Sequence, residues 1–253
     1  MIRNLFAAAL LAALAAGLLT AAIQHFRVTP LILHAETFEG EGAHSHGEAA
    51  VAADHEHAEG TAEHTDAVAA TAEPEEWAPQ DGFERTAYTT LATVLAAAGF
   101  ALVIGAVSMF AGIPITFANG FLWGIAGFIA FSLAPAYGLA PELPGMPAAD
   151  VFPRQIWWAG TALATGAAML LLSKTRAGWA FAVAIALVVI PHIIGAPVAP
   201  DEPSAVPAHL ATEFAAVTLG TSLVFWLILG TVFGKLNDVF AVRSAAVPAG
   251  ATA

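Results

Sequence analysis

Apolar residues run almost unbroken along six stretches of this chain, Leu5–Ile23, Tyr88–Val107, Phe117–Tyr137, Ile156–Leu172, Ala177–Ile194 and Leu210–Phe233. Each approaches the roughly 20 residues with which an α-helix crosses about 30 Å of hydrocarbon. The stretches are separated by breaker-rich segments: a short uncharged one around Pro114, a Pro-rich one from Pro135 to Pro153, and Pro197–Pro207 with its Asp and Glu. The pattern predicts an all-α integral membrane protein of about six transmembrane helices. The first run can be read as a signal peptide, with Thr20-Ala21-Ala22 as a passable cleavage site, or as a first span. Its apolar length of about 19 residues favours the span. Removal of that run, or one hairpin that fails to cross, would leave five.

Between the first and second runs, the chain from Gln24 to Glu84 turns to Glu, His, Ala, Gly and Thr, with large apolar residues only in Phe26–Leu33. Such a composition cannot bury a core and predicts a disordered loop. The expected organisation is a first helix over 1–23, a His/Glu-rich loop over 24–85, a five-helix bundle over 86–235 and a tail over 236–253. Gly120/Gly124 and Gly160/Gly166 are small-residue spacings of the kind that let helices pack closely.

Composition supports the membrane reading. The mean hydropathy is +0.73, and only 11% of the 253 residues are charged, where a soluble domain carries about a quarter. The net charge of −12 is concentrated in the His/Glu segment, so it speaks against nucleic acid as a ligand. With no cysteine, any metal must be held by nitrogen and oxygen. Basic residues set the orientation. With the N-terminus cytoplasmic, Arg3, Lys174, Arg176, Lys235 and Arg243 fall inside, while Arg27, Arg85 and Arg154 fall outside. Both termini are then cytoplasmic and the His/Glu loop is extracytoplasmic, in a multi-pass protein of the bacterial inner membrane.

The same topology gathers the histidines. His25, His34, His44, His46, His55, His57, His64, His192 and His209 all reach the outer face, although only Lys and Arg were used to orient the chain. His44-Ser45-His46 and His55-Glu56-His57 are His-x-His pairs among carboxylates, donors suited to Co²⁺, Ni²⁺ and Zn²⁺ nearly alike. The alternative is a solvated acidic linker. Nearer the membrane, His34, Glu36 and Glu39 follow the first span, and His209 and Glu213 share one face of the sixth helix at i, i+4. That pair reads either as donors to one ion or as an ordinary helix start. His25 follows the exit of the first helix, and His192 lies in an apolar setting after Pro191, as a ligand or as a ring hydrogen-bonded to backbone. Gly230–Leu236 lacks the spacing and final Ser/Thr of a phosphate loop, and neither His-Glu-x-x-His nor Gly-x-Ser-x-Gly occurs. An enzyme is not expected, nor is a resident cofactor.

Four segments in order resemble the CbtA family, the proposed cobalt transporter subunit: Pro30-Leu-Ile-Leu-His-Ala-Glu-Thr-Phe-Glu39, Pro141-Glu-Leu-Pro-Gly145, Arg154-Gln-Ile-Trp-Trp158 and Pro191-His-Ile-Ile-Gly-Ala-Pro197. The family is usually described with five spans. The resemblance implies Co²⁺ import linked to cobalamin synthesis, with a small single-span CbtB-like subunit as partner. The expected function is thus a membrane subunit that captures Co²⁺, or Ni²⁺ or Zn²⁺, with outer-face His and Glu and passes it inward. The rival is a metal buffer, sensor or delivery subunit that does not transport. A reporter domain fused after Ala62 is expected to behave as extracytoplasmic, and cytoplasmic behaviour would overturn the topology.

Overall fold

The computed structural model describes residues 2–45 and 79–246, with side chains described for 2–38 and 79–244. Six helices form the described fold. Helix α1 is continuous through Ile2–Ile23, a π turn at Gln24–Val28 and Thr29–Ser45. Helix α2 is Phe83–Ala111, and α3 runs through Phe117–Phe128, a second π turn at Ile129–Leu133 and Ala134–Ala136. Helices α4, α5 and α6 are Val151–Lys174, Gly178–Ile194 and Ala208–Ala246.

All six apolar runs are helical, and five helices are long and apolar enough to cross a membrane: Ile2–Phe38, Phe83–Ala111, Phe117–Ala136, Val151–Lys174 and Ala208–Ser244. Helix α5, with 17 residues, reaches only about 25 Å at 1.5 Å per residue. It lies antiparallel on α4, and its last turn is level with Trp157, whose Nε1 donates to the Pro191 carbonyl at 3.0 Å.

The helix expected to end near Ile23 runs on to Ser45. The reason is the short apolar stretch that follows. Val28 and Ala35, with Leu31, Ile32 and Phe38 beside them, pack on Leu210 and Phe214 of α6 and on Leu143 and Val206 of two connections. A helix of 37 residues, Ile2–Phe38, measures about 55 Å. It therefore outruns the hydrocarbon and carries an apolar cap beyond it.

Helix α1 is arranged for lipid rather than water. Ala8, Ala9, Ala12, Ala13 and Ala16 are buried, whereas Leu10, Leu11, Leu14, Leu18 and Leu19 are exposed. Lipid tails solvate leucine as well as a protein core does, so helices associate by close backbone approach through small residues. The tightest approach joins α3 to α6. A Cβ on Gly230 would stand 2.2 Å from the Gly120 carbonyl oxygen, and one on Gly124 would stand 2.4 Å from that of Trp226. Gly160 faces open space, so the Gly160/Gly166 spacing does not serve packing. Trp226, 1% exposed, stacks on Phe131 at 5.5 Å and meets Phe100 edge-on at 5.1 Å.

The described chain ends share one end of the bundle. Asn4 Nδ2 donates to Ser244 Oγ at 2.6 Å, Asn237 Nδ2 to the Ile115 carbonyl at 3.0 Å, and the Phe117 amide to Asp238 Oδ2 at 2.9 Å. Lys174 Nζ bonds the Ala111 carbonyl there. Arg27, Arg85 and Arg154 lie toward the opposite end, so the two basic groups separate in space as they do in the sequence. Gly230→Ala should lower thermal stability by about 1–3 kcal/mol or more through overpacking against backbone that cannot move aside, whereas Gly160→Ala should leave it unchanged. Melting of the detergent-solubilised protein checks both.

Candidate functional site

The end of the bundle away from the described termini carries two polar constellations, each beside a π turn. Single-turn π insertions in α-helices recur at functional sites because they re-aim side chains. The first π turn carries His25, which is solvent-exposed. Its Nδ1 stands 3.4 Å from Thr86 Oγ1 at the start of α2. A pocket of ≈ 110 Å³ lies between the two helices, lined by His25 and Thr29 of α1, by Thr86, Thr89 and Thr90 of α2, and by Asp81 and Arg85. Arg85 pairs with Glu36 through both guanidinium nitrogens and with Asp81 at 2.9 Å. Two carboxylates against one guanidinium leave this cluster with one negative charge.

The second constellation is a cleft of ≈ 1030 Å³ beneath the 138–150 connection, walled by the second π turn of α3, the first turns of α4 and the middle of α6. Glu142 and Arg154 form an ion pair at 2.7 Å. Deeper, Ser132 Oγ and Ser222 Oγ are 2.7 Å apart, Trp226 Nε1 donates to Ser132 Oγ at 3.2 Å, and Thr218 Oγ1 is buried without a hydrogen-bond partner.

The expected metal donors are spread over this end rather than gathered. His34 is exposed and packs on Phe38. Glu36 is held by Arg85 and is not a free donor. His192 lies between Tyr137 and Trp157, with ring centroids at 5.2 and 5.6 Å, and its Nδ1 is buried without a partner. His209 and Glu213 are both exposed on the first turns of α6, opposite buried Leu210 and Phe214, and no ion pair joins them among the described residues. Glu39 and His44 fall where only the helical backbone is described, and His46, His55, His57 and His64 lie outside the described residues. Among the described residues no three His, Asp or Glu side chains converge on one point.

A family model described as probable cobalt transporter subunit, CbtA, matches residues 2–238. The chain belongs to the CbtA family. No curated protein and no solved structure matches it. Family membership makes this a membrane subunit of a cobalt transporter, and the apolar helices accord with a multi-pass membrane protein. Against that background, several residues of this CbtA member take roles that sequence reasoning did not give them. Within Arg154-Gln-Ile-Trp-Trp, Trp157 is buried against α5, while Arg154, Gln155 and Trp158 border the cleft. Ser108 and Asn119 cap helix ends, the former through the Ile113 carbonyl and the latter in a capping box with Thr116. Asp81, Thr86 and Glu142 were not singled out. Glu142 had a signal in the sequence, a lone carboxylate between prolines twelve residues before Arg154.

The Glu36–Arg85 pair fastens α1 to α2 at the rim of the smaller pocket. Charge-assisted hydrogen bonds of this kind are worth about 1.5–3 kcal/mol; Glu36→Arg should lose stability of that order, and the swap Glu36→Arg/Arg85→Glu should recover most of it in thermal unfolding.

Proposed function

We propose that this protein takes Co²⁺ or a similar divalent ion from the extracytoplasmic side with histidine and carboxylate donors and passes it inward. The observation that carries the reading is the pocket at the first π turn, where His25, Asp81 and threonine hydroxyls surround a small space beside the Glu36, Asp81 and Arg85 cluster, which carries one negative charge. Imidazole and carboxylate are first-shell donors for borderline divalent ions, and hydroxyls replace part of the hydration shell. The His/Glu segment that follows α1 is tethered to this rim. It raises the local concentration of ion there.

In the proposed orientation both termini are cytoplasmic and all nine histidines are extracytoplasmic. His34, Glu39, His192, His209 and Glu213 then form an outer ring of exchangeable donors. Glu36 acts through Arg85, countering the charge of a guanidinium that itself lines the pocket. The partner is a small single-span CbtB-like subunit, which would add donors at this face. A buffer or delivery role without transport is favoured by one observation: the cytoplasmic-side half of the α3–α6 seam is packed backbone to backbone and has no room for an ion.

Uptake of radioactive cobalt by cells expressing the chain, alone and with the single-span subunit, separates the readings. Accumulation several-fold above host background in either case supports transport, and binding without accumulation supports the buffer. His25→Ala combined with Asp81→Asn is expected to lower initial uptake about tenfold, the effect of some 1.4 kcal/mol of lost binding. Because imidazole ligates only when neutral, histidine-dependent capture should weaken on acidification. Capture unchanged at pH 5 would assign it to carboxylates alone.

A further inference from the structure

The larger cleft runs from the 138–150 connection down to the middle of α6. Its polar groups follow one face of α6, where Thr218, Ser222 and Trp226 are spaced at i, i+4 and i+8. Ser222 stands about 20 Å along α6 from Ala208, so these groups lie at membrane depth, where a polar atom without a partner is costly unless it serves a polar occupant. Thr218 Oγ1 is buried and without a partner. Below them the indole of Trp226 occupies the room left by Gly127, where a Cβ would stand 2.2 Å from the ring. Past Trp226 the Gly120, Gly124 and Gly230 backbones touch. Trp226 therefore stands between the deepest hydroxyls of the cleft and the closed α3–α6 seam.

The charges at and beside its lining are unequal. Glu142 and Arg154 are paired, and Asp150, the residue preceding α4, lies one turn before Arg154 with no ion pair among the described residues. The i, i+4 spacing lets Arg154 turn from Glu142 to Asp150. Among the described residues Glu142 pairs with no second cation. Of the other arginines toward this end, Arg85 is already committed to Glu36 and Asp81, and Arg27 sits on the first π turn, outside the cleft lining. An incoming cation is what would complete the exchange.

We propose that this cleft is an outward-open, water-filled vestibule for the divalent cation, with Glu142 as its anionic ligand, Ser132, Thr218 and Ser222 as hydroxyl ligands below, and Trp226 as the inner gate. Arrival of the ion moves Arg154 from Glu142 to Asp150. The proposal rests on the uptake reading for the identity of the ion but not on transport itself, because the site is defined by occupancy.

The chain contains no cysteine, so a single introduced thiol reports on the cleft in the full-length protein in membranes. Ser222→Cys, and Ala159→Cys as a second lining position, should react with a membrane-impermeant thiosulfonate reagent added from the extracytoplasmic side. Saturating Co²⁺ should slow the reaction about tenfold, and Arg154→Gln should lower the Co²⁺ concentration needed by a similar factor. Glu142→Gln should abolish the protection, which a complex of Co²⁺ with the thiol alone would preserve. Reaction only with a membrane-permeant maleimide would show a lipid-filled cleft and overturn the proposal, as would protection that survives Glu142→Gln. A chain that protects the thiol but accumulates no cobalt upholds the site and removes the transport reading.

Discussion

The rest of the structure depends on the contact between the α3 and α6 backbones. In a bilayer there is little gain in hiding leucine from lipid, so two helices hold together where their main chains can touch. Gly120 and Gly124 on α3 face Gly230 and the Trp226 carbonyl on α6. This contact fixes the half of the bundle nearer the described termini. Beyond it the helices are held apart by Trp226, and the separation opens the cleft that Ser132, Thr218 and Ser222 line. One seam thus gives both the closed half and the open half.

A second consequence concerns where charge is placed. The transmembrane stretches keep ionisable side chains near their ends, because a charge at mid-membrane is expensive unless it is paired. At the end away from the described termini, two ion pairs tie separate elements together: Glu36 to Arg85 across α1 and α2, and Glu142 to Arg154 across the Pro-rich connection and α4. Each pair borders a polar space, so the ties that hold the outer end also set the charge of its pockets.

Much of the fold was legible because hydrocarbon thickness imposes a length and lipid imposes an apolar surface. The six helices lie where the apolar runs lie, and the Gly120/Gly124 spacing marks a real contact. Gly160/Gly166 has a similar appearance but faces open space, since a small-residue spacing does not say whether a partner stands opposite. The site was less legible. Histidine content pointed to one end of the molecule, but proximity within that end is set by π turns and by a long connection, neither of which has a periodic signal. His209 and Glu213 share a helix face as their spacing requires, yet that face points away from the protein, because Leu210 and Phe214 take the inward positions. Glu36 was read as a donor because its pairing with Arg85, 49 positions away, cannot be seen locally.

The first π turn has a consequence for the phase of α1. At 3.6 residues per turn, one additional residue rotates everything after it by about 100°. Before the turn, the alanine stripe faces α2 and α6; after it, Val28 and Ala35 face the outer cap. The two halves of one continuous rod are therefore keyed to different partners, like a shaft cut with two flats at different angles. Loss of a single residue within Gln24–Val28 would leave the transmembrane half seated while turning Glu36 away from Arg85 and His34 toward another side of the molecule.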